Sequence, residues 1–384
     1  MPWKEFLVSE ARMRFVLACR EKGESFASLC RRFGISRKSG YKWIKRYGQG
    51  GVRALEDASR RPRYHAKAHR PFWRERLCRL RAAHPRWGPK KLRWLLQKSS
   101  ARVNRIPAVS TLGRWLAQAN LIGKRPRRAR SGPVLPWQGL RVARRCNEVW
   151  SVDFKGWFRT GDGRRCEPLT VRDVHSRFVL AAVVLSRQSE AAVRQALRPV
   201  FRRYGVPKAL RVDNGAPFGS KGALGLSRLS VWWLRLGIAV EFIRRAHPQD
   251  NGAHEQMHRI LKADTAAPPA RSLRAQKRRI GAWVESYNTE RPHEALGQQV
   301  PARLYRPSPR RMPRRRAQAK YPWAWKVRRV RNRGHIKWEG RQRFIGRAFV
   351  GELVGLKSLA DGGHEVYLER HLIGLLYGQD LAGM

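Results

Sequence analysis

Trp150-Ser-Val-Asp-Phe-Lys-Gly156 is an apolar, strand-forming run with one acid set inside it. A carboxylate between Trp150 and Val152 on one side and Phe154 on the other is costly to bury unless it is paired or holds a metal ion. Asp153 is therefore the first residue that asks for a chemical role. The periodicity around it is that of a sheet. Val149–Phe158 and Leu169–Val174 read as strands, and Arg177–Leu185 pairs with the second as a hairpin through Asp173-Val-His-Ser-Arg177. A helix over Ser189–Tyr204 follows, then a short strand, Ala209–Val212, that ends at Asp213-Asn-Gly215. A helix with Trp232, Trp233 and Leu236, a strand Ala239–Ile243 and a helix opening at Asn251 complete the segment. Three strands, helix, strand, helix, strand, helix predict an α/β core with a mixed sheet.

Two more carboxylates sit where elements meet loops. Asp213 follows the strand Leu210-Arg-Val, and Glu255 opens the helix in His247-Pro-Gln-Asp-Asn-Gly-Ala-His-Glu-Gln-Met-His-Arg259. Converging hard oxygens suit Mg2+, which needs few protein ligands because phosphate and water complete its shell. Two such ions can activate the attacking oxygen and stabilise the leaving one at phosphorus. Each acid also has a plainer reading. Asp213 before Asn-Gly can be a turn residue, and Glu255 can complement the helix dipole. Asp173, in the hairpin turn, and Asp250, in the loop ahead of Asn251-Gly, are weaker candidates. His247 can assist the chemistry or cap its loop, and His293 reads as structural because Arg291-Pro ends a helix there.

Composition sets the partner. The 384 residues carry 83 Lys and Arg against 27 Asp and Glu, a net charge of +56. Self-repulsion of that size calls for a polyanion. The longest apolar run, Phe178–Leu185, is too short to span a membrane, and no signal peptide is expected, since charges interrupt the first 22 residues. Five scattered cysteines with no CxxC pair exclude a disulfide framework or a zinc finger and fit a reducing cytoplasm. The charge is also unevenly placed. Leu121–Cys146 holds eight Lys and Arg and no acid, and Arg306–Arg333 holds twelve and no acid, so both read as basic connectors able to clamp a nucleic-acid backbone. Asn147–Val300 holds 14 of the 27 acids and the best strands.

The first third carries two helix-turn-helix patterns. In Ser25–Tyr47, Gly34 supplies the turn and Ser36 can cap the second helix; Leu29, Phe33, Ile35, Trp43 and Ile44 face inward, leaving Arg37, Lys38 and Lys42 for DNA. Gly40 departs from the usual β-branched residue and lowers helix propensity. The second pattern runs from His84 to Ile122, with Ser110 as N-cap, Leu112, Trp115, Leu116 and Ala119 on one face, and Arg114 free for DNA. An αα-hairpin without groove contact is the alternative for both. Past the second connector, Arg329–Leu376 alternates short strands with Gly turns and reads as a small β-barrel. The domains expected are 1–60 and 61–122 (helix-turn-helix), 123–146 (basic linker), 147–305 (catalytic core), 306–328 (basic linker) and 329–384 (barrel).

The order of these pieces, closed by Tyr287-Asn-Thr-Glu-Arg-Pro-His-Glu-Ala-Leu-Gly297 and Pro301-Ala-Arg-Leu-Tyr305, resembles the DDE transposases of bacterial insertion sequences. The resemblance covers nearly the whole chain. It implies a multidomain protein: all-α helix-turn-helix domains, a central α/β RNase H-like core of retroviral-integrase type, and a small C-terminal β-barrel. Matched by position, the catalytic and metal-binding triad falls on Asp153, Asp213 and Glu255. The 41 residues between Asp213 and Glu255 exceed the usual spacing, with the extra length around Gly219–Arg228. The resemblance also implies Mg2+, with Mn2+ substituting, and one site for two reactions. Hydrolysis frees a 3′-hydroxyl at each element end, and that hydroxyl then attacks target DNA. Lys262, on the face of Glu255, would position phosphate. The partners implied are double-stranded DNA and further copies of the chain, with no membrane, in the nucleoid of a bacterial cytoplasm. Two rivals are a catalytically inactive, transposase-derived DNA-binding regulator and a nuclease acting on RNA–DNA hybrids. The intact triad argues against the first. Helix-turn-helix units argue against the second, since they fit the B-form major groove.

Overall fold

The computed structural model describes residues 8–21, 23–57, 69–99, 106–122, 139–244, 247–313 and 319–378. Two compact units divide at Pro71 and Phe72. Most of the first basic connector, residues 123–138, and residues 314–318 of the second lie outside the described residues.

The first unit is a three-helix bundle: α1 (Val8–Arg20), α2 (Phe26–Arg32) and α3 (Arg37–Gly50). Ser25 Oγ accepts from Ser28 N–H at 3.3 Å and Ser36 Oγ from Ser39 N–H at 3.1 Å, so each serine caps the helix that follows it. Gly34, at φ +65°, makes the turn between them. Phe15, Val16, Leu29, Cys30 and Leu55 form the core, with Phe33, Ile35, Trp43 and Ile44 packed around it. Gly40 is buried there: a Cβ on it would lie 2.8 Å from Phe26 Cζ and 2.9 Å from Cys30 Sγ. The glycine is thus a packing requirement of the aromatic cluster.

The second unit opens with α4 (Pro71–Ala83), α5 (Pro89–Ser99) and α6 (Val109–Gln118), which share a core of Trp73, Leu77, Trp87, Leu92, Leu96, Leu112 and Leu116. Ser110 is not the N-cap of α6. Leu112 N–H already bonds to Ala108 O at 3.0 Å, so the helix starts at Val109 and Ala108 occupies the cap position without a side-chain bond. Ala108 follows Pro107, and the missing N–H of the proline sits outside the helix, where it costs nothing.

The central sheet begins with β1 (Val149–Phe154), β4 (Pro168–Asp173) and β5 (Val179–Val184); β2 (Phe158–Arg159) and β3 (Arg165–Cys166), between β1 and β4 in the chain, form a separate small ribbon. Helix α7 (Glu190–Tyr204), capped by Ser189, leads to β6 (Ala209–Val212), α8 (Arg228–Arg235), β7 (Ala239–Phe242), α9 (Gly252–Thr265), α10 (Leu273–Thr289) and α11 (Pro301–Leu304). The strand order is β5-β4-β1-β6-β7, antiparallel on the β4–β5 side and parallel through β6 and β7. This is the mixed sheet expected. The first strand stops at Phe154, four residues early, because Gly156 takes φ +80°. Side chains alternate across a strand, which splits the two cores. Trp150, Val152, Leu169, Val171, Leu210 and Val212 pack with α7 and α8. On the opposite face Val179 and Val184 pack with Met257, Leu261, Ile280, Trp283 and Tyr287 of α9 and α10.

The start of the second basic tract lies on this core. Ser308 N–H donates to Tyr204 O at 2.7 Å, and the Arg310 guanidinium donates to Pro207 O and Gly237 O at 2.6 Å each. Beyond it come β8 (Lys326–Arg329), β9 (His335–Trp338), β10 (Arg341–Phe344), β11 (Leu353–Ser358), β12 (His364–Leu368) and β13 (His371–Leu376). The small barrel expected from the strand pattern is present as an open sheet, β13-β12-β11-β8, beside a separate β9–β10 ribbon; no pairing among the described residues closes it. Its core includes Leu226, Val231 and Leu234. The loop that lengthens the Asp213–Glu255 spacing folds back through a Gly219–Leu226 bridge, and its Leu226 is part of the surface that receives the C-terminal sheet.

Candidate active site

The parallel pairing of β1 with β6 brings the first two acids together. Trp150 aligns with Leu210 and Ser151 with Arg211, so two positions further along both strands stand Asp153 and Asp213. Both lie at the carboxyl ends of parallel strands. Glu255 is exposed in the first turn of α9, where it also complements the helix dipole. The three acids share one electrostatic neighbourhood. Burial, then the charges of Asp213 and Glu255, push the Asp153 carboxyl up to about 7, while the Phe154 N–H and Lys155 oppose the shift. Burial likewise raises Asp213, against the Gly215 N–H. Asp213 Oδ1 is buried and has no hydrogen-bond partner among the described residues. A buried carboxylate raised by its acidic neighbours, beside a second with one oxygen left without a donor among the described residues, fits a cation.

Beneath Asp153 lies a polar layer that the periodicity hides. Ser151 and Asp153 of β1 and Thr170 and Arg172 of β4 share the sheet face covered by α9. Ser151, Thr170 and His254 are fully buried and Arg172 is 2% exposed. His254 contacts Ser151 Oγ through Nδ1 at 2.5 Å and Thr170 Oγ1 through Nε2 at 2.6 Å. His258 Nε2 contacts the same Thr170 Oγ1 at 2.7 Å, and its Nδ1 stands 3.8 Å from Asp153 Oδ2. Asn251 Nδ2 donates to that Oδ2 at 3.4 Å. Arg172 Nη1 donates to Ala253 O at 2.6 Å and fixes the start of α9. Burial holds both imidazoles neutral, with His258 lowered to about 3 and His254 well below its ordinary value. The sequence signal for these residues is the His254/His258 pair, four apart and hence on one helix face.

The other sequence candidates separate clearly. Asp250 binds Arg244 in a bidentate pair at 2.8 and 2.9 Å, which lowers its carboxyl and accounts for the residue as a loop clasp. Asp173 is fully buried and accepts from Asn147 N–H and from the Ser176 main chain and hydroxyl, organising the hairpin turn. His293 packs edge-on against Tyr287 at 4.8 Å, and burial lowers it to about 3. Lys262 is exposed on α9, close enough to Lys155 to depress it after burial does. Lys155, two residues past Asp153, is thus a second cation at the site. Arg37, Lys38 and Lys42 on α3 and Arg114 on α6 are all exposed. Asn288 and Arg291 give the Tyr287–Gly297 signature its structural meaning. The Asn288 amide exchanges two 2.9 Å bonds with the Val179 main chain at the edge of the sheet. Arg291 reaches Asp264 of α9 at 3.6 Å and lies over the Trp87 ring of the α4–α6 bundle.

This sheet, with acids at the ends of β1 and β6 and on α9, is an integrase core. Residues 143–248 and 236–301 match two family models described as integrase core domain. Residues 11–63 match a helix-turn-helix domain, 39–116 a homeodomain-like domain, and 325–377 the C-terminal domain of IS481 family transposases. Together these matches support an insertion-sequence DDE transposase with an integrase-type core. It is 29% identical over 234 residues to the 31.7 kDa protein of insertion element IS407 from Burkholderia multivorans, spanning 59% of this chain and 78% of that one. It is also 29% identical over 230 residues to the 39.2 kDa protein of insertion element IS476 from Xanthomonas euvesicatoria, spanning 60% of this chain and 63% of that relative. Among solved structures, the BIV integrase catalytic core matches 41% of this chain and 93% of its own at 21% identity and a TM-score of 0.32. The HTLV-2 integrase core in complex with magnesium matches 43% and 100% at 13% identity and a TM-score of 0.34.

Proposed function

We propose that the chain binds the ends of a mobile element, cleaves them, and joins the freed 3′-hydroxyl to target DNA, with Asp153, Asp213 and Glu255 as the catalytic, metal-holding residues. The observation that carries this reading is the neighbourhood of three carboxylates, one with a buried oxygen that no described residue satisfies. That donor set suits Mg2+, or Mn2+ in its place. When bound, two divalent ions supply activation of the attacking oxygen and stabilisation of the leaving one in an in-line displacement.

The chain's own residues do the rest. The paired strand ends hold Asp153 and Asp213 at fixed separation, while α9 carries Glu255, near enough to raise the Asp153 carboxyl. Lys155 and Lys262 meet the scissile phosphate. The attacking oxygen belongs to water in the cleavage step and to the 3′-hydroxyl in the joining step, so one constellation serves both. Arg37, Lys38 and Lys42 of α3 and Arg114 of α6 contact the element end in the manner of recognition helices. Copies of the chain assemble on DNA to bring two ends together, in the nucleoid of the bacterial cytoplasm. No described helix is long and apolar enough to cross a membrane. On this reading residues 1–60 and 61–122 are the DNA readers, 147–305 the catalytic core, 329–384 the C-terminal module, and 123–146 and 306–328 the basic connectors. The test is incubation of the full chain with linear DNA carrying the terminal repeats that flank its gene. Divalent-dependent nicking at the repeat boundary, lost in Asp153→Asn and Asp213→Asn while binding persists, is expected. Binding without nicking in any divalent ion would leave only a DNA-binding regulator.

A further inference from the structure

We propose that His258 is a ligand of the divalent ion held by Asp153, so that the site contains an imidazole nitrogen beside its carboxylates. The inference rests on the reading of Asp153 as a metal ligand. It starts from a proton count. Thr170 Oγ1 lies 3.1 Å from the Asp153 carbonyl oxygen, 2.6 Å from His254 Nε2 and 2.7 Å from His258 Nε2. A hydroxyl has one proton. The carbonyl can only accept, so Thr170 donates to it, and both Nε2 atoms must donate to Thr170. Each imidazole therefore carries a hydrogen on Nε2, and a neutral ring so arranged has its lone pair on Nδ1.

The two lone pairs have different fates. That of His254 receives the Ser151 hydroxyl at 2.5 Å, so both ring nitrogens of His254 are occupied by β1 and β4 side chains. His258 Nδ1 instead stands 3.8 Å from Asp153 Oδ2, too far for a hydrogen bond. The His258 side chain is only 8% exposed, so the gap faces the carboxylate cluster and little solvent. Two acceptors this close, with only the Asn251 amide donating to the carboxylate oxygen at 3.4 Å, leave a place for a cation between them. Bonds of about 2.1 Å to nitrogen and to oxygen together exceed the gap, so one ion reaches both atoms. Asp153, His254 and His258 are also the described residues whose ligand atoms all fall within 4.8 Å of one another. The proton count removes His254 from that set and leaves it as the brace that orients its neighbour.

An imidazole arm changes which ion the site prefers. Carboxylates alone suit Mg2+, whereas a nitrogen donor moves the balance toward Mn2+ and later first-row ions. The experiment loads the full chain with Mn2+ alone and records pulsed electron paramagnetic resonance. A directly bound imidazole gives 14N modulation, and growth on 15N-histidine replaces it with a 15N signal without changing a side chain. The expected result is 14N modulation in the unmodified protein, its replacement on labelling, and its loss in His258→Gln. Mn2+ affinity should fall about tenfold or more in that variant, and Mg2+ affinity by less. Bound Mn2+ that disappears in Asp153→Asn yet shows no histidine nitrogen overturns this inference and leaves the transposase reading standing. Modulation that survives in His258→Gln overturns it too. No Mn2+ binding by the unmodified chain would defeat the metal-site reading itself.

Discussion

Asp153 sits 24% exposed between Asp213, Glu255 and a neutral histidine layer, and its ionisation is where the site meets solution conditions. Its carboxyl is raised from 3.8 to about 7, burial being the first cause and its acidic neighbours the next. A raised acid means that the native state keeps a proton which the unfolded chain has already released in that window. The contribution of Asp153 to the stability of the metal-free protein therefore falls as pH rises from 3.8 to about 7, while the buried His254, His258 and His293, lowered from 6.5, contribute stability that rises with pH up to that value. A divalent ion competes with the same proton, so Mn2+ affinity should climb with pH and level off above about 7. Thermal melts of the metal-free chain and Mn2+ titrations across that range check both signs. Asp153→Asn should remove the falling contribution, so that the variant gains stability relative to the unmodified chain as pH rises through this range, and it should remove the binding. A Mn2+ affinity independent of pH would mean that the carboxylate is ionised throughout.

At the scale of elements, much of the architecture is legible because hydrophobic alternation and turn chemistry agree. The Asp173–Arg177 hairpin, the Ala209–Val212 strand ending at Asp213, and the serine caps of α2 and α3 all follow from local rules. What stays hidden is the polar layer under α9. Thr170 and Arg172 alternate with Leu169 and Val171 in β4, a pattern that normally marks a solvent face, yet both polar residues are buried. Their partners, His254 and His258, lie more than 80 residues away in sequence, and no local rule connects them. Gly40 was legible only as a weak point in a helix. The structure makes it the place where Phe15, Phe26 and Cys30 crowd α3. Gly40→Ala should therefore destabilise the first unit by about 1–3 kcal/mol through overpacking, although alanine is the better helix former. Melts of the full chain read this directly, and a stabilised variant would mean that the cluster yields easily. Further along the same helix, Lys42→Ala should weaken end binding by roughly 1–3 kcal/mol if Lys42 reads a base. Unchanged affinity in a footprinting titration would move the reading surface elsewhere.

At the scale of the whole molecule, a net charge of +56 makes the protein a polycation first. The two basic tracts hold twenty Lys and Arg, of which Arg310 is engaged with core carbonyls. If about 8 of all the available cations meet phosphates, log K for DNA should fall against log salt with a slope of about −7. A slope shallower than about −3 would show that most of this charge never touches DNA. Charge binds DNA without choosing a reaction, so the central claim rests on the three carboxylates acting as one unit. The most direct measurement of that claim uses a pre-cut element end with a free 3′-hydroxyl, supplied with target DNA and Mg2+ or Mn2+, so that joining is scored apart from cleavage. The full chain should join the strands, while Glu255→Gln, which keeps the shape of the side chain but not its charge, should bind the end and join nothing; full joining by Glu255→Gln would contradict the assignment.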